Sequence, residues 1–187
     1  MKRTGSIPPV PFVRSTGNRD SPVRLVGGPP PRVSVSMFSL LVGGTVSYLL
    51  EQVEDTQQLE QRLADLGRRI GFRIYDLYCI RHGVAQPVKI IPFLQFVADR
   101  VWTRLFGHAA EVLRGGENEY QLADNKGNLF HRVVSTTECN LGSYAAGMVH
   151  GMLIMAGFSG RVTAHHTNLN NVLNRGLILV IELDNDR

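Results

Sequence analysis

Two cysteines and a pair of adjacent histidines are the side chains of this 187-residue chain best suited to chemistry. A cysteine thiolate can act as a nucleophile or bind a metal ion, and a histidine can act as a base or a metal ligand. His165 and His166 lie side by side on a predicted strand, so they point to opposite faces and cannot easily bind one metal ion. Cys79 and Cys139 lack the spacing of a metal site, and we expect both to be reduced, buried thiols of a cytosolic protein.

The other polar candidates lack the partners that catalysis needs. His150 has no carboxylate near it in the sequence, so a packed or interfacial histidine is the simpler interpretation. Ser143 follows Gly142 directly, whereas the nucleophile elbow of hydrolases needs a glycine two positions before its serine. The sequence contains neither a phosphate-binding glycine loop nor an H-E-x-x-H zinc motif. It therefore predicts no catalytic residue, no cofactor and no metal site.

The positive charge of the chain is concentrated in its first 32 residues. This segment holds six basic residues and one acidic residue, together with seven of the nine prolines. Such a composition buries too little apolar surface to fold alone, so residues 1–32 are predicted to be a disordered Pro/Arg-rich arm. Residues 33–187 are predicted to form one domain. The rest of the chain has 14 basic and 15 acidic residues, so we expect no nucleic-acid binding.

The elements that position these side chains follow from the spacing of apolar residues and from the turn residues between them. These patterns predict an α+β fold, in which a mostly antiparallel four-stranded sheet packs against helices in the order ααα-ββ-α-ββ. The predicted helices span about 34–52, 55–82, 87–106 and 140–156, and the predicted strands span about 118–123, 129–135, 161–167 and 176–183. The first two strands are expected to form a hairpin.

The stretch from Cys139 to Thr167 is predicted to be the centre of the domain. Its helix is apolar on nearly all sides, which is typical of a helix in the core. Gly142, Gly147 and Gly151 lie inside this helix, and each interior glycine costs about 1 kcal/mol relative to alanine. We therefore expect close packing against another element to offset that cost.

The first predicted helix is also apolar on more than one side. Either the domain wraps around it or another subunit covers its second side, and the sequence leaves both possibilities open. The second helix becomes almost wholly apolar after Gly71, so its second half is expected to be buried or interfacial. The residues predicted to form a subunit interface are Met37, Phe38, Leu41, Val42, Leu49, Tyr75 and Tyr78.

Five segments in a fixed order carry a resemblance to a known family. They are Leu59–Asp76 (LEQRLADLGRRIGFRIYD), Val101–Gly107 (VWTRLFG), Cys139–Gly151 (CNLGSYAAGMVHG), Gly157–His165 (GFSGRVTAH) and the closing strand Leu177–Glu182. Through them, residues 33–184 resemble the small α/β subunits of TRAPP, the transport protein particle, and in particular the subunit-five type.

The resemblance implies a non-catalytic structural subunit of a vesicle-tethering complex. Such complexes act as guanine-nucleotide exchange factors for Rab GTPases in ER-to-Golgi and Golgi traffic. The implied partners are other TRAPP subunits, among them an acylated core subunit and the sedlin subunit, with a Rab GTPase reached through the whole complex. The implied location is cytoplasmic, peripheral at Golgi and ER–Golgi membranes, with membrane contact only through the complex. In this family, subunits pair largely through their N-terminal helices.

Two further expectations accompany this resemblance. The acylated relative carries its lipid on a cysteine just before the third helix, whereas this chain reads Val84-Ala85-Gln86-Pro87 there, so we expect no acylation. The alternative function is a self-standing domain that binds a hydrophobic ligand in its core. The least favoured alternative is an enzyme that uses Cys139 or the histidine pair.

Overall fold

A computed structural model of the chain describes residues 33–82, 89–126, 139–168 and 175–184. The predicted arm, residues 1–32, and the segment Val84-Ala85-Gln86-Pro87 lie outside the described residues. The elements are α1 (Val35–Leu50), α2 (Thr56–His82), α3 (Ile90–Phe96), a π-helical segment (Val97–Trp102), α4 (Thr103–Phe106), β1 (Glu111–Arg114), β2 (Glu119–Asp124), α5 (Gly142–Met155), β3 (Gly160–Asn168) and β4 (Arg175–Leu183). The predicted α+β fold with a four-stranded antiparallel sheet is confirmed.

The sheet has the strand order β1-β2-β4-β3, and each neighbouring pair is antiparallel. β2 therefore lies between β1 and β4, so the predicted hairpin between 118–123 and 129–135 is wrong; the second of these segments lies outside the described residues. The observed hairpin joins β1 to β2, with Glu111 opposite Ala123. β1 was not predicted because it has only four residues and three of them are exposed, so its sequence has no alternation of buried and exposed residues.

Side chains placed just before α1, α2 and α5 accept hydrogen bonds from the first turns of these helices, which is why the helices begin where the sequence predicts. The third predicted helix, 87–106, ends at Gly107, which adopts φ 83°. Glycine tolerates this conformation, which terminates the helix. The hydrogen bonds at these helix starts run from Met37 N–H to Ser34 Oγ at 3.1 Å, from Gln58 N–H to Asp55 Oδ1 at 2.6 Å and from Gly142 N–H to Asn140 Oδ1 at 3.0 Å.

α5 is the central layer of the fold, and it packs against α2 on one side and the sheet on the other. Glycines of both helices form this contact: in α2, Gly67 lies against Tyr144 and Gly71 against Met148, and in α5, Gly147 lies against Ala64 and Gly151 against Arg68. Because later residues of one helix meet later residues of the other, the two helices run parallel. A Cβ atom at any of the four positions would overlap a backbone carbonyl oxygen of the facing helix. The prediction that close packing explains the glycines of the central helix is thus confirmed for Gly147 and Gly151.

One buried carboxylate ties the helical layer to the sheet. Asp124, at the end of β2, is 3% exposed and accepts a hydrogen bond from Trp102 Nε1 at 3.0 Å. Its other oxygen lies 2.7 Å from His108 Nε2 and accepts a hydrogen bond from Lys126 N–H at 3.1 Å. Because a buried carboxylate is costly without such partners, this network fixes the π-helical segment against β2.

Candidate subunit interface

The inner side of α1 packs against the domain. Val46 and Leu49 are buried and share the hydrophobic core with Leu59 and Leu63 of α2. Val42 and Phe38, one and two turns nearer the start of α1 than Val46, are half-buried. The domain therefore covers one side of α1, and this side holds the helix in place.

The outer side of α1 is apolar and exposed. Met37, Leu40, Leu41 and Tyr48 expose 57%, 78%, 60% and 61% of their surface. Counted from Met37, the positions three, four, seven and eleven residues further along are Leu40, Leu41, Gly44 and Tyr48. This is the spacing of a single helix face. We call these five residues the outer stripe. The whole of α1 contains no charged residue. An exposed apolar surface of this kind is typical of a protein–protein contact.

A cavity of about 200 Å³ flanks the outer stripe at the junction of α1, α2 and the start of α5. Its wall is apolar, because the one hydroxyl on the α1 side, that of Thr45, donates to Leu41 O at 2.8 Å. The residues that line the cavity are Phe38, Leu41, Val42, Thr45, Leu63, Leu141 and Tyr144. Leu41 belongs to both features, so the stripe and the cavity form one continuous surface.

The structure divides the seven residues predicted for the interface. Leu49 and Tyr75 are 7% and 1% exposed, so both belong to the core and cannot form an exposed contact surface. Periodicity could not separate them, since each lies on a helix with apolar residues on more than one side. The other five comprise Met37 and Leu41 on the outer stripe, Phe38 and Val42 in the cavity wall, and the half-buried Tyr78.

Tyr75 and Tyr78 belong to an aromatic cluster between α2 and α3. The ring centre of Tyr75 lies 5.9 Å from that of Phe93 and 6.3 Å from that of Phe96, and Tyr78 lies 6.4 Å from Phe96. All three pairs meet edge to face, a favourable geometry for aromatic rings. Burial, with a smaller contribution from Cys79, raises the pKa of Tyr75 to about 12. This side of α2 is therefore covered by the same chain.

Three residues of the outer stripe were missing from the predicted interface. Leu40 and Tyr48 are among the most exposed large apolar residues described, and Gly44 lies between them. The signal was present in the sequence as the i, i+3, i+4, i+7, i+11 spacing from Met37. What the sequence could not show is which of the two apolar sides of α1 the domain covers.

The thiols of the chain are poor nucleophiles in this structure. Burial, together with the nearby carboxylate of Glu60, raises the pKa of Cys139 to about 11. Burial also raises the pKa of Cys79, which is half-buried beside Tyr75. Because the thiolate is the reactive form, both cysteines are mostly protonated and unreactive near neutral pH.

His150, His165 and His166 do not converge on a site either. Burial and the charge of Arg68 lower the pKa of His150, while a hydrogen bond with the Gly160 backbone acts in the opposite direction. His165 is exposed and lies 3.1 Å from Thr163 Oγ1, whereas His166 is half-buried, so the two neighbours lie on different faces of β3. Within the residues described, no group of three or more His, Cys, Asp or Glu side chains could hold a metal ion.

None of the helices in the described segments is both long enough and apolar enough to cross a lipid bilayer.

Comparison with known proteins identifies relatives along most of the chain. The family model of the transport protein particle (TRAPP) component matches residues 38–184. Trafficking protein particle complex subunit 5 of Dictyostelium discoideum is 29% identical over 158 residues, which cover 78% of this chain and 84% of the relative. The human protein of the same name is 32% identical over 150 residues, which cover 76% of this chain and 79% of the human protein.

A solved structure shares the fold. It is the crystal structure of a trafficking protein particle complex subunit 3 from Naegleria fowleri, covalently bound to palmitic acid. The match has a TM-score of 0.66 and 17% sequence identity, and it covers 80% of this chain and 95% of the other. At 17% identity the likeness shows a shared fold and nothing further.

Proposed function

The chain belongs to the TRAPP component family, and from this premise we propose that it is a non-catalytic structural subunit of a TRAPP-type vesicle-tethering complex. The observation that carries the proposal is the outer stripe of α1. It combines large exposed apolar residues with a complete lack of charge on the helix. A surface of this kind is stable in water when a partner covers it, which is what assembly into a complex provides.

We further infer that the complex acts as a Rab guanine-nucleotide exchange factor in ER-to-Golgi and Golgi traffic. The support is the family resemblance of the five sequence segments together with the subunit names of the relatives. The partners proposed are other TRAPP subunits, including an acylated core subunit and the sedlin subunit, and a Rab GTPase engaged by the whole complex. The proposed location is the cytoplasmic side of Golgi and ER–Golgi membranes.

The proposal that this subunit has no active site of its own draws on the protonation states of its reactive groups. Cys139 has a raised pKa, and the charged group acting on it is the carboxylate of Glu60, which disfavours the reactive thiolate. His150 has a lowered pKa, and the charged group acting on it is Arg68 rather than a carboxylate. Neither arrangement resembles the nucleophile–base pair that covalent catalysis requires.

Co-purification tests the assembly role. The full chain, tagged at its C-terminus, is expressed in cells of its source organism, and the recovered proteins are identified and quantified by mass spectrometry. We expect other TRAPP subunits in near-equal amounts and Rab nucleotide exchange in the eluate. The double variant Leu40→Glu/Tyr48→Glu serves as control, since both side chains are exposed and the fold should survive. Recovery of the wild-type chain without any TRAPP subunit would refute the proposal.

The cavity supports a second candidate function, a self-standing domain that binds a small hydrophobic molecule. Its volume of about 200 Å³ is sufficient for a ring-sized group, since an engineered apolar cavity of about 150 Å³ binds benzene. Native mass spectrometry of the purified chain tests this candidate. An added mass that disappears in Thr45→Phe would support it, and a spectrum of the bare chain alone would reject it.

A further inference from the structure

The sheet has one face towards the helices and a second face directed away from them. Neighbouring residues of a strand point to opposite faces. On β4, Leu177, Leu179 and Ile181 are buried in the hydrophobic core that the sheet shares with the helices. The residues between them, Ile178 and Val180, are half-buried and lie outside this core. They therefore point to the opposite side of the sheet, which we call the outer sheet face.

The register of the strands shows which other side chains belong to the outer sheet face. Residues directly opposite each other on neighbouring strands lie on the same face. Val180 is opposite Gln121, and Gln121 is opposite Leu113. The same register places Glu119 of β2 and Arg161 of β3 on either side of Glu182 of β4. The outer sheet face thus combines apolar side chains with charged ones near one end of the strands.

Two of these charged residues repel each other. Glu119 is directly opposite Glu182, so their Cβ atoms are about 5 Å apart, and like charges at such a pair destabilise a sheet. Arg161 lies on the other side of Glu182, with its Nη2 atom 3.0 Å from Glu182 Oε2. Glu119 forms no ion pair within the described segments, and its Oε1 atom accepts a hydrogen bond only from the neutral amide of Gln121 at 3.1 Å. One negative charge is therefore left uncompensated beside the apolar residues.

We propose that the outer sheet face binds a segment of another protein that carries a lysine or arginine beside a branched apolar side chain. The basic group lies over Glu119 and Glu182, and the apolar side chain covers Val180 and Leu113. This inference rests on the proposed function, because it assumes that the chain assembles with other proteins. It adds a contact surface that is separate from the outer stripe of α1, and it states the charge of the partner.

The charge of the outer sheet face decides between the possible occupants. Its formally charged residues are three glutamates, Glu111, Glu119 and Glu182, against the single Arg161. A nucleic acid or an anionic lipid surface is repelled by this surplus of negative charge. Two copies of the chain that meet through this face bring glutamates against glutamates. A basic protein segment instead relieves the repulsion between Glu119 and Glu182.

The apolar residues fix the position of the partner. Leu113 is 41% exposed, and Ile178 and Val180 are half-buried, so all three retain apolar surface that a partner can cover. The Glu182 side chain is 51% exposed, so its charge is open to the partner as well. Apolar residues beside charged ones are the usual composition of the centre and rim of an interface. Apolar neighbours also exclude water from an ion pair, which strengthens it relative to a pair in open solvent.

Reversal of one charge tests the proposal. Glu119→Arg places a positive charge opposite Glu182, so the purified full chain should keep or raise its melting temperature. The tagged full chain and the variant are each expressed in cells of the source organism, and the co-purified proteins are quantified by mass spectrometry. We expect recovery of at least one TRAPP subunit to fall by about tenfold or more. Because α1 is unchanged, at least one other subunit should be recovered as by the wild type.

Asp99→Arg is the matched control. It makes the same charge reversal at an exposed carboxylate of the π-helical segment, outside the sheet. This variant should recover every subunit in the amounts that the wild type recovers. An equal loss in Glu119→Arg and Asp99→Arg would overturn the proposal, because the loss would then follow from net charge rather than from the outer sheet face.

Two further measurements test the chemistry of the contact. The subunit that Glu119→Arg loses should also be released from the wild type when the salt concentration rises from about 0.1 M to about 1 M, because salt screens ion pairs. Val180→Thr keeps the branched shape of the side chain and adds a hydroxyl group, and recovery of the same subunit should fall by about fivefold. Release that is independent of salt would overturn the electrostatic part of the proposal, and full recovery by Val180→Thr would overturn the apolar part.

The outcomes separate this inference from the proposed function. If the wild type and Glu119→Arg recover the same TRAPP subunits in the same amounts, the outer sheet face is not a contact surface while the assembly role stands. If the wild type sediments as a homodimer that Glu119→Arg dissociates, the occupant is a second copy and the proposal is overturned. If the wild type recovers no TRAPP subunit, the proposed function fails and this inference fails with it.

Discussion

Gly147→Ala is the substitution whose effect on folding follows most directly from the structure. Gly147 lies at the closest approach of α5 to α2, where a Cβ atom would overlap the carbonyl oxygen of Ala64. A backbone oxygen within a helix cannot rotate away as the end of a side chain can. The two helices must therefore move apart, and the residues packed around Gly67 and Gly151 lose part of their contact.

The magnitude follows from two opposing effects. Overpacking in a dense core costs up to about 3 kcal/mol. Alanine offsets about 1 kcal/mol of this through its better helix propensity. The net loss of up to about 2 kcal/mol lowers the melting temperature of a domain of this size by up to about 4–8 °C.

Gly43→Ala provides the matched control. It changes the same residue type in another helix, at a position where the added methyl group meets no described atom within 4 Å. We expect it to raise stability by up to about 1 kcal/mol, or about 2–4 °C. Thermal and urea denaturation followed by circular dichroism measure both variants. If Gly147→Ala proves as stable as Gly43→Ala, the close contact between α2 and α5 is refuted.

Three further predictions concern the buried polar groups and the exposed stripe. Asp124→Asn removes the carboxylate that accepts a hydrogen bond from Trp102 and lies beside His108, so the free energy of unfolding should fall by about 3 kcal/mol. Urea denaturation measures this loss, and an unchanged midpoint would contradict the network. The pKa of His150 is lowered from 6.5, so the unfolded chain takes up the proton first and the stability of the folded chain falls as the pH drops below 6.5. His150→Gln should weaken this pH dependence of stability. A variant with the same pH profile as the wild type would argue against a role of His150. Leu40→Glu should leave the melting temperature nearly unchanged while partner recovery is lost, whereas a large drop in melting temperature would mean that this residue is not exposed.

Helix boundaries were predictable because local residues determine them. Ser34, Asp55 and Asn140 each accept a hydrogen bond from the first turn of the helix that follows. Gly107 ends its helix with a positive φ that other residues rarely adopt. Each of these effects acts within a few residues, so the sequence contains the necessary information.

Strand pairing and helix orientation were not predictable to the same degree, because they depend on distant contacts. β1 is defined by its pairing with β2 rather than by its own four residues. For α1, apolar residues on both sides make either orientation equally favourable until the position of α2 is known. Leu49 was therefore assigned to the interface although it faces the core, and Leu40 was omitted although it faces outward.

The glycines of this chain allow folding and assembly to be separated by experiment. In α2 and α5, glycine is needed because the two backbones touch, so a methyl group there should lower the stability of the isolated chain. At Gly44, the same methyl group meets nothing in the described chain, so it should preserve or raise stability and yet weaken the complex. If α1 were merely a poorly packed helix, its glycines would respond to substitution alike. A difference between Gly43→Ala and Gly44→Ala in binding, without a difference in stability, can arise only from a partner that contacts the outer stripe.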